Sequence, residues 1–559
     1  MKIDRSIVAT TAAALTAFVA TTDLAVAQSA ASACDSLRTA AVPTSDIGLP
    51  TGGAKAVSTA YMPASGVAPR SVGAFCRVLL DIAPVDPKAP PIKMEVNLPD
   101  DWNGKALMYG GGGYNGVILS TGGVIRLQPP EVPIPLGRGY VTFSGNGGHE
   151  ASAGATFALN DEALSNYAFD AVKKTRDVAV AIIKARYGRP ADKIYFHGSS
   201  TGGKEALGVI QRYPRDIDGA MIFWPATYNI SLSMQFARLS RALEQPGAWP
   251  SVAKRKALQD AVLEACDGLD GVKDGVVSNV RACMAKFDPS KATVAGRPLR
   301  CANGAEAGDD CLSDAQIKAL KVMSTPLKLD YDLASGLSDY PGFYTWGSGL
   351  GVSDKDQLSK DVLGQGFGTV PPASPTKPGM PFDYNFADLF IRYFVTKNSD
   401  AKVADVDPEH PGKWRKRFVE LSGMMEMSKT DLSAFRRHGG KILLFHGLSD
   451  QIVPAQSTVD YYRRVVDTMG QGTVSSFVKY FELPGTGHSG FGVTFNPTWD
   501  ALGALDDWVT NGVAPKSAVI TDTHFKPGRT RPLCEYPAWP RYNGTGDVDQ
   551  ASSFACVRS

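Results

Sequence analysis

The chain has 559 residues, 43% of them hydrophobic and 20% charged, which is typical of a large globular protein rather than a disordered or fibrous one. Lys and Arg together number 58 and Asp and Glu 56, giving a formal net charge of +2. This balance argues against a polybasic protein that binds nucleic acid or a membrane surface. The 57 glycines and 37 prolines indicate many turns and long loops rather than a helical bundle.

Residues 1–27 have the pattern of a secretory signal peptide. Lys2 and Arg5 precede the apolar run Ile7–Ala20, and Ala25–Ala27 offers small residues for cleavage. The run is too short and too rich in Ala and Thr for a transmembrane helix, and no later stretch has the pattern of a membrane span. The sequence therefore predicts export to the periplasm or the medium, where disulfides can form.

The chain beyond residue 27 contains eight cysteines, an even number, without the CxxC spacing of a zinc or redox site. Eight cysteines allow 105 pairings, so the sequence alone does not fix the disulfides, and buried free thiols are the alternative. The simplest scheme joins neighbours along the chain: Cys34 with Cys76, Cys266 with Cys283, Cys301 with Cys311, and Cys534 with Cys556.

Short apolar runs alternate with helical stretches along much of the chain, which predicts an α/β fold with a mostly parallel sheet. The predicted elements, in chain order, are a strand at Ala106–Tyr109, a helix at Leu164–Arg186, a strand at Ile194–Phe196, a helix at Lys204–Tyr213, and strands at Ala220–Phe223 and Lys441–Phe445.

Residues 228–433 interrupt this alternation with four cysteines, an acidic glycine-rich stretch and the proline-rich segment Val370–Pro381. We expect them to form a large lid domain inserted between two parts of the core, residues 28–227 and 434–559.

A serine nucleophile is predicted where the strand at Ile194–Phe196 turns into the following helix. Gly198-x-Ser200-x-Gly202 is the nucleophile-elbow pattern in its required strand–turn–helix context. Glycines flank the serine because side chains would clash with nearby backbone on so tight a turn. The alternative is a plain glycine turn.

The partners of Ser200 are sought downstream, because the order in hydrolases of this type is Ser, then acid, then His. Asp450 follows the strand at Lys441–Phe445, and His488 lies in a glycine-rich loop. His446 is the rival base, but it precedes Asp450 and breaks the order. In the predicted triad Ser200 attacks an ester carbonyl, His488 transfers the proton, and Asp450 orients the imidazole.

The oxyanion that this attack creates needs two hydrogen-bond donors. The backbone N–H of Thr201, directly after the nucleophile, is one candidate. The other is expected from the run Gly110–Gly113, which follows the early strand, although such a run can also be a simple tight turn.

These motifs, with several others, resemble the tannase and feruloyl esterase family along nearly the whole chain after residue 27. The matching stretches are Trp102-Asn-Gly, Gly110–Gly116, Ser200–Gly203, Tyr213-Pro214, Asp267–Gly275 and Arg531–Cys534. The resemblance implies an α/β-hydrolase core with a large lid, and it implies Gly113 as the second oxyanion donor. A bacterial mono(2-hydroxyethyl) terephthalate hydrolase belongs to the same family.

A calcium site is predicted in the acidic stretch. The carboxylates of Asp267, Asp270 and Asp274 are hard oxygen ligands that suit calcium, and the carbonyls of Val272 and Val276 complete the shell. A solvated acidic turn is the alternative. The family resemblance implies a structural calcium ion in the lid at these same five positions.

The chain also departs from the family. Members typically carry disulfide-bonded cysteines just before the nucleophile and just after the histidine, where this chain has Ser199 and Ser489. Phe382 takes the position of the lid arginine by which the terephthalate-ester enzyme grips its substrate carboxylate, and Val453 replaces an aromatic residue. Arg392 could supply the charge from another direction.

Four aromatic residues could line a pocket for an aromatic acid, although ordinary core packing explains each equally well: Trp224, Tyr228, Trp346 and Phe386. We therefore expect a small ester of a hydroxycinnamic or related aromatic acid as the substrate, with the terephthalate monoester as the alternative. A protease or a non-catalytic, calcium-stabilised binding module are further alternatives, and the oligomeric state is left open.

Overall fold

The structure is a computed structural model that describes residues 29–119, 121–347, 366–488, 493–516 and 518–558. The predicted signal peptide, residues 1–27, and Ser489 lie outside the described residues. All eight cysteines are described and paired, which confirms the neighbour scheme: Cys34–Cys76, Cys266–Cys283, Cys301–Cys311 and Cys534–Cys556.

Nineteen strands occur in the described residues, most of them short. In chain order they are β1 (Ala41–Val42), β2 (Ala54–Met62), β3 (Phe75–Ile82), β4 (Ile92–Pro99), β5 (Lys105–Tyr109), β6 (Val141–Gly145), β7 (Lys193–Ser199), β8 (Gly219–Phe223), β9 (Thr293–Val294), β10 (Arg297–Pro298), β11 (Leu327–Lys328), β12 (Asp339–Tyr340), β13 (Lys441–Gly447), β14 (Val478–Leu483), β15 (Pro497–Thr498), β16 (Val519–Asp522), β17 (Thr530–Pro532), β18 (Trp539–Tyr542) and β19 (Phe554–Val557).

Ten of these strands form one sheet in the order β1-β2-β3-β4-β6-β5-β7-β8-β13-β14. The six strands from β6 to β14 run parallel to one another, whereas β1 to β4 form an antiparallel edge. The predicted mostly parallel sheet is therefore confirmed. Because parallel strands end at the same edge, the loops after β5, β7, β13 and β14 meet there.

Residues 29–35 are helical, and the further α-helices, in chain order, are α1 (Asp161–Ser165), α2 (Ala171–Tyr187), α3 (Thr201–Arg212), α4 (Asn229–Leu243), α5 (Val252–Cys266), α6 (Val280–Lys286), α7 (Asp314–Ser324), α8 (Phe382–Leu389), α9 (Arg415–Met425), α10 (Ser433–Arg437), α11 (Ala455–Met469), α12 (Gln471–Ser475) and α13 (Ala501–Asn511). The helix expected at Leu164–Arg186 is formed by α1 and α2, with a π-helical segment, Asn166–Asp170, between them.

The sheet is buried on both faces, because successive residues of a strand point to opposite sides. In β5, Ala106 and Met108 join the large apolar cluster that also includes residues of α2, α3 and the lid. Leu107 and Tyr109 join a second cluster, on the face covered by α13. The strands β5, β7, β8 and β13 are mostly apolar, which made them recognisable in the sequence, whereas β6 and β14 carry more polar residues and were not predicted.

Between β8 and β13 the described chain adds no strand to the main sheet and forms α4 to α10 with two short two-stranded sheets. This is the segment in which the sequence predicts the lid. Among the described residues, none of the helices combines the length and apolar character needed to cross a lipid bilayer.

Candidate active site

Ser200 lies on a sharp turn between β7 and α3. Its backbone has φ 60° and ψ −121°, in a region that L-residues rarely adopt. A Cβ atom on Gly198 would lie 2.1 Å from the carbonyl oxygen of Gly202, and one on Gly202 would lie 2.7 Å from that of Gly111. Glycine is therefore required on both sides of Ser200, as the elbow pattern predicts.

His488 and Asp450 lie in contact, after β14 and β13 respectively. His488 Nδ1 is 2.8 Å from Asp450 Oδ2, while the backbone N–H groups of Ile452 and Val453 donate to Asp450 Oδ1. Burial alone would raise the pKa of the Asp450 carboxyl, but the imidazoles of His488 and His446 hold it below its usual range. Asp450 is therefore ionised and accepts a hydrogen bond from His488.

His446, the rival base, is fully buried behind the acid. Its Nε2 lies 3.3 Å from Asp450 Oδ2 and 3.0 Å from the carbonyl oxygen of Val453, and its Nδ1 lies 2.8 Å from Thr458 Oγ1. Both ring nitrogens are thus engaged inside the protein. His446 has no access to a substrate and acts on Asp450 alone.

Ser200 and His488 open into the same cavity, of about 250 Å³, at the carboxyl ends of the parallel strands. Its lining consists of Gly110, Gly111, Gly112, Gly113, Leu119, Arg126, His197, Ser199, Ser200, Phe382, Ile452 and His488. Residues predicted from three separate segments, the glycine run, the elbow and the histidine loop, are therefore brought together around one space.

The glycine run is held against the nucleophile helix. The carbonyl oxygen of Gly113 accepts hydrogen bonds from the hydroxyls of Thr201 (2.8 Å) and Tyr167 (3.1 Å). The buried carboxylate of Glu205 on α3 accepts from Gly111 N (2.7 Å) and from Asn115 Nδ2 (2.8 Å). These contacts fix the loop that carries Gly113 next to Thr201, the two residues predicted as oxyanion donors.

Comparisons with known proteins identify the family of the chain. The family model described as tannase and feruloyl esterase matches residues 76–557. The chain belongs to this family. It is 38% identical to an uncharacterized esterase of Agrobacterium fabrum, over 95% of this chain and 94% of that protein. It is 31% identical to the mono(2-hydroxyethyl) terephthalate hydrolase of Piscinibacter sakaiensis, over 83% and 81%.

Among solved structures, feruloyl esterase B of Aspergillus oryzae has the same fold, with a TM-score of 0.73 at 24% sequence identity. The match covers 94% of this chain and 100% of that one. The α/β-hydrolase fold expected from the sequence is thus confirmed, and the family membership makes the protein a carboxylic ester hydrolase.

The four aromatic residues predicted to line a substrate pocket do not reach the cavity of this esterase in the described structure. Trp346 packs on Phe287, and Tyr228 accepts a hydrogen bond from Arg464. Phe386 stacks on Tyr114, with ring centroids 3.9 Å apart, just after the glycine run. All are buried in the apolar clusters, so core packing, the alternative left open by the sequence, accounts for them.

Trp224 has a different role, directly behind the triad. Its indole Nε1 donates to Ser199 Oγ at 2.7 Å, and its ring lies 6.2 Å from that of His488. The side chain is fully buried, and its φ of 34° is unusual for a bulky residue. At the position where family members typically have a cysteine, Ser199 is thus anchored by a hydrogen bond.

Five cavity residues were not predicted as substrate contacts from the sequence: Leu119, Arg126, His197, Phe382 and Ile452. Phe382, noted only as a replacement for a lid arginine, forms an aromatic wall. Arg392 does not take over the charge, because its Nε donates to Asp388 Oδ2 at 2.8 Å and it does not line the cavity.

The acidic stretch forms a compact loop directly after Cys266. The carboxylate of Asp267 accepts from Gly275 N (3.0 Å), and Asp274 Oδ1 accepts from Val276 N (2.9 Å). Asp274 also forms an ion pair with Arg531. Two of the three predicted carboxylate ligands are therefore already engaged by donors of the protein.

Asp270 differs from the other two, because its Oδ2 is buried without a hydrogen-bond partner. Burial raises the pKa of this carboxyl to about 6. Among the described residues no group of three or more His, Cys, Asp or Glu is arranged to hold a metal ion. The buried, unpartnered oxygen and the oxygen donors fit a hard cation, and the calcium site stays a prediction.

Proposed function

We propose that this esterase hydrolyses small esters of aromatic acids through an acyl-enzyme formed on Ser200, with His488 as the base and Asp450 as its partner. One observation carries the proposal. His488 has its Nδ1 on the buried Asp450 and lines the same cavity as Ser200. Nδ1 donates to the carboxylate, so the neutral imidazole presents Nε2 as the proton acceptor.

In the first half of the reaction, Ser200 Oγ attacks the ester carbonyl while His488 Nε2 takes its proton. The carbonyl oxygen becomes an oxyanion, which the backbone N–H groups of Thr201 and Gly113 stabilise. Asp450 stabilises the imidazolium without taking its proton. The tetrahedral intermediate then collapses, the imidazolium protonates the leaving alkoxide, and the alcohol departs from the acyl-Ser200 ester.

In the second half, water replaces the alcohol. His488 removes a proton from the water as it attacks the acyl carbonyl, and the same two N–H groups bind the second oxyanion. The second tetrahedral intermediate collapses, Ser200 Oγ regains its proton from His488, and the aromatic acid leaves. Every proton transfer passes through one nitrogen atom, which is why the tautomer fixed by Asp450 matters.

The acid part of the substrate is proposed as aromatic on two grounds. The family description names tannase and feruloyl esterase, and Phe382 and Ile452 give the cavity an apolar side. A cavity of about 250 Å³ is at the small end of ligand sites, which favours a single ring with short substituents. The relative that is 31% identical supports a second candidate, hydrolysis of mono(2-hydroxyethyl) terephthalate.

The proposal is tested with Ser200→Ala, which we expect to reduce hydrolysis of methyl ferulate, methyl gallate or mono(2-hydroxyethyl) terephthalate by at least about 10⁴-fold. A fluorophosphonate probe should label the wild-type protein and not the variant. Ser71→Ala, at an exposed serine, is the matched control. Unchanged turnover by a folded Ser200→Ala variant would refute the assignment.

We also propose that calcium binds at Asp267, Asp270 and Asp274, with the carbonyl oxygens of Val272 and Val276. The positive ion would be the partner that the buried Asp270 Oδ2 lacks, and it would stabilise the loop next to the Cys266–Cys283 disulfide. Chelation should lower the melting temperature, and added calcium should restore it. An unchanged melt, with no calcium found by metal analysis, would exclude the site.

Export is proposed from the first 27 residues and is supported by the four disulfides, which persist in oxidising compartments. Expression of the full chain in a bacterium should give mature protein in the periplasm or the medium. N-terminal sequencing is expected to start at Gln28, and an intact Met1 on all of the protein would contradict the proposal.

A further inference from the structure

One basic side chain, that of Arg126, lies in the lining of the cavity that holds Ser200 and His488. It belongs to the loop between β5 and β6, which no catalytic motif marks. Neither the proposed acyl transfer nor the oxyanion contacts use it.

The backbone around Arg126 is fixed on both sides. Ile125 and Leu127 are buried in the apolar cluster on the face covered by α13. Leu127 has φ 63°, a conformation rarely adopted by a branched residue, and its carbonyl oxygen accepts from Trp499 N. Both neighbours are thus held in the core, while Arg126 between them contributes to the lining of the cavity. Strained backbone of this kind is concentrated at functional sites.

His197 supports the same segment from below. Its Nε2 accepts a hydrogen bond from Arg126 N at 3.0 Å. Burial, together with the nearby charge of Arg126, lowers the pKa of His197 to about 3, so the imidazole is neutral and remains an acceptor. The acceptor thus holds the Arg126 backbone in place at any pH near neutrality.

The side chains around the cavity suit a particular kind of ligand. Phe382 and Ile452 offer apolar contact for a ring, and Arg126 offers a permanent positive charge with a planar set of donors. None of the described lining residues is Asp or Glu, so an anion that enters meets no like charge. Guanidinium binds carboxylate in a bidentate manner, which combines strength with orientation.

We propose that Arg126 binds a carboxylate of the substrate, and that this esterase prefers aromatic esters with a free carboxylate over neutral esters of the same size. The inference rests on the proposed function, since it concerns the same cavity. The carboxylate could belong to the acid part, as in a terephthalate monoester, or to the alcohol part, as in a quinate ester. Arg126 is then a specificity-determining residue. The positive charge that binds the substrate carboxylate comes from the loop between β5 and β6 rather than from the lid.

The test compares kcat/KM for two matched pairs of esters. The first pair is mono(2-hydroxyethyl) terephthalate and 2-hydroxyethyl benzoate, and the second is caffeoyl quinate and its methyl ester at the quinate carboxylate, assayed by release of caffeate. Wild-type protein should prefer the anionic member of at least one pair by 10-fold or more. Arg126→Gln should reduce that preference by about 10- to 100-fold, and Arg126→Lys by less, because it keeps the charge. The pair that responds shows which part of the ester carries the carboxylate.

Arg437→Gln, at an exposed arginine, is the matched control and should leave the preference unchanged. A wild-type protein that turns over both members of each pair equally would overturn the inference, as would a folded Arg126→Gln variant that keeps the preference. If Arg126→Gln does not fold, the inference is tested by the preference of the wild-type protein for the anionic ester and by the smaller loss of that preference in Arg126→Lys. If Ser200→Ala loses turnover but Arg126→Gln has no effect, this inference is refuted and the proposed function is not. Turnover by Ser200→Ala would instead refute the proposed function.

Discussion

Around Ser200 the protein is held together by hydrogen bonds and close backbone contacts, whereas its outer segments are held by disulfides. In the cavity, Ser199 is anchored by Trp224 and the glycine run by Glu205. None of the eight cysteines is among the described residues that line the cavity. The four disulfides lie in the N-terminal segment, the lid and the C-terminal segment.

This difference teaches that covalent cross-linking and the catalytic cavity are placed in separate parts of the chain. Disulfides act mainly by restricting the unfolded state, so they can stabilise the fold from far away. Hydrogen bonds act in the folded state and define positions within tenths of an ångström, as an active site requires. Changes in the two regions should therefore give different phenotypes.

The largest expected effect is in the cavity. Asp450→Asn should lower kcat by about 10⁴-fold, because an amide in place of the carboxylate favours the wrong tautomer of His488. Circular dichroism should show a folded protein. Asp310→Asn, at an exposed lid residue, is the control and should leave kcat unchanged. A loss of less than 10-fold in Asp450→Asn would mean that another acid supports the histidine.

An intermediate effect is expected in the outer region. The double variant Cys301→Ser, Cys311→Ser removes a cross-link between residues ten apart and should lower the free energy of unfolding by about 2–3 kcal/mol. At temperatures well below its melting point, kcat should equal that of the wild type. Denaturant unfolding and esterase assays on the same preparation test both halves of the prediction. A lowered kcat in fully folded protein would break the separation between the two regions.

The smallest effect concerns pH. In the folded protein His197 stays neutral down to a pKa of about 3, while in the unfolded chain it takes up a proton below its ordinary value of 6.5. The unfolded state therefore binds more protons between these pH values, and this contribution to stability falls as the pH falls. From pH 6.5 to 4.5 the loss is about 2 kcal/mol.

His197→Gln keeps an acceptor for Arg126 N but does not titrate, so its free energy of unfolding should fall by about 2 kcal/mol less than that of the wild type over this range. Urea unfolding at pH 6.5 and 4.5 measures the difference. His410→Gln, at an exposed histidine, should behave like the wild type. Equal losses in wild type and His197→Gln would show that acid sensitivity originates outside the cavity.

The sequence predicts four of the six parallel strands, β5, β7, β8 and β13, and the candidate triad, because these depend on local patterns, whereas β6 and β14 were missed. The apolar run of β7, in which five consecutive residues are buried, and the glycines near Ser200 can both be recognised in the sequence alone. The antiparallel edge, β1 to β4, was missed, since its pairing depends on contacts between strands rather than on one apolar run. β3 shows a regular alternation of buried and partly exposed residues that could have revealed it.

Only the part of the cavity that is formed by the glycine run, the nucleophile turn and the histidine loop could be predicted from the sequence. Gly113, Ser200 and His488 come from motifs, but Arg126, Phe382 and Ile452 come together through loop and lid packing that no short pattern encodes. The four aromatic residues chosen from the sequence were instead buried, because large apolar side chains fill cores more often than they line ligand sites. The disulfides followed the simplest pairing because each joins segments already close along the chain.

The cavity has one wall that is built from backbone and one that is built from side chains, and this has a consequence for laboratory evolution. A Cβ on Gly111 would lie 1.9 Å from the Asn115 side chain, and one on Gly110 would lie 2.8 Å from both Gly202 and Phe196. Neither Gly110 nor Gly111 therefore tolerates a side chain, whereas a Cβ on Gly112 would meet no atom within 4 Å. Mutant libraries for altered ester preference should therefore focus on the side-chain positions of the cavity. These are Leu119, Arg126, Phe382 and Ile452, where a substitution changes the side chain that contacts the substrate.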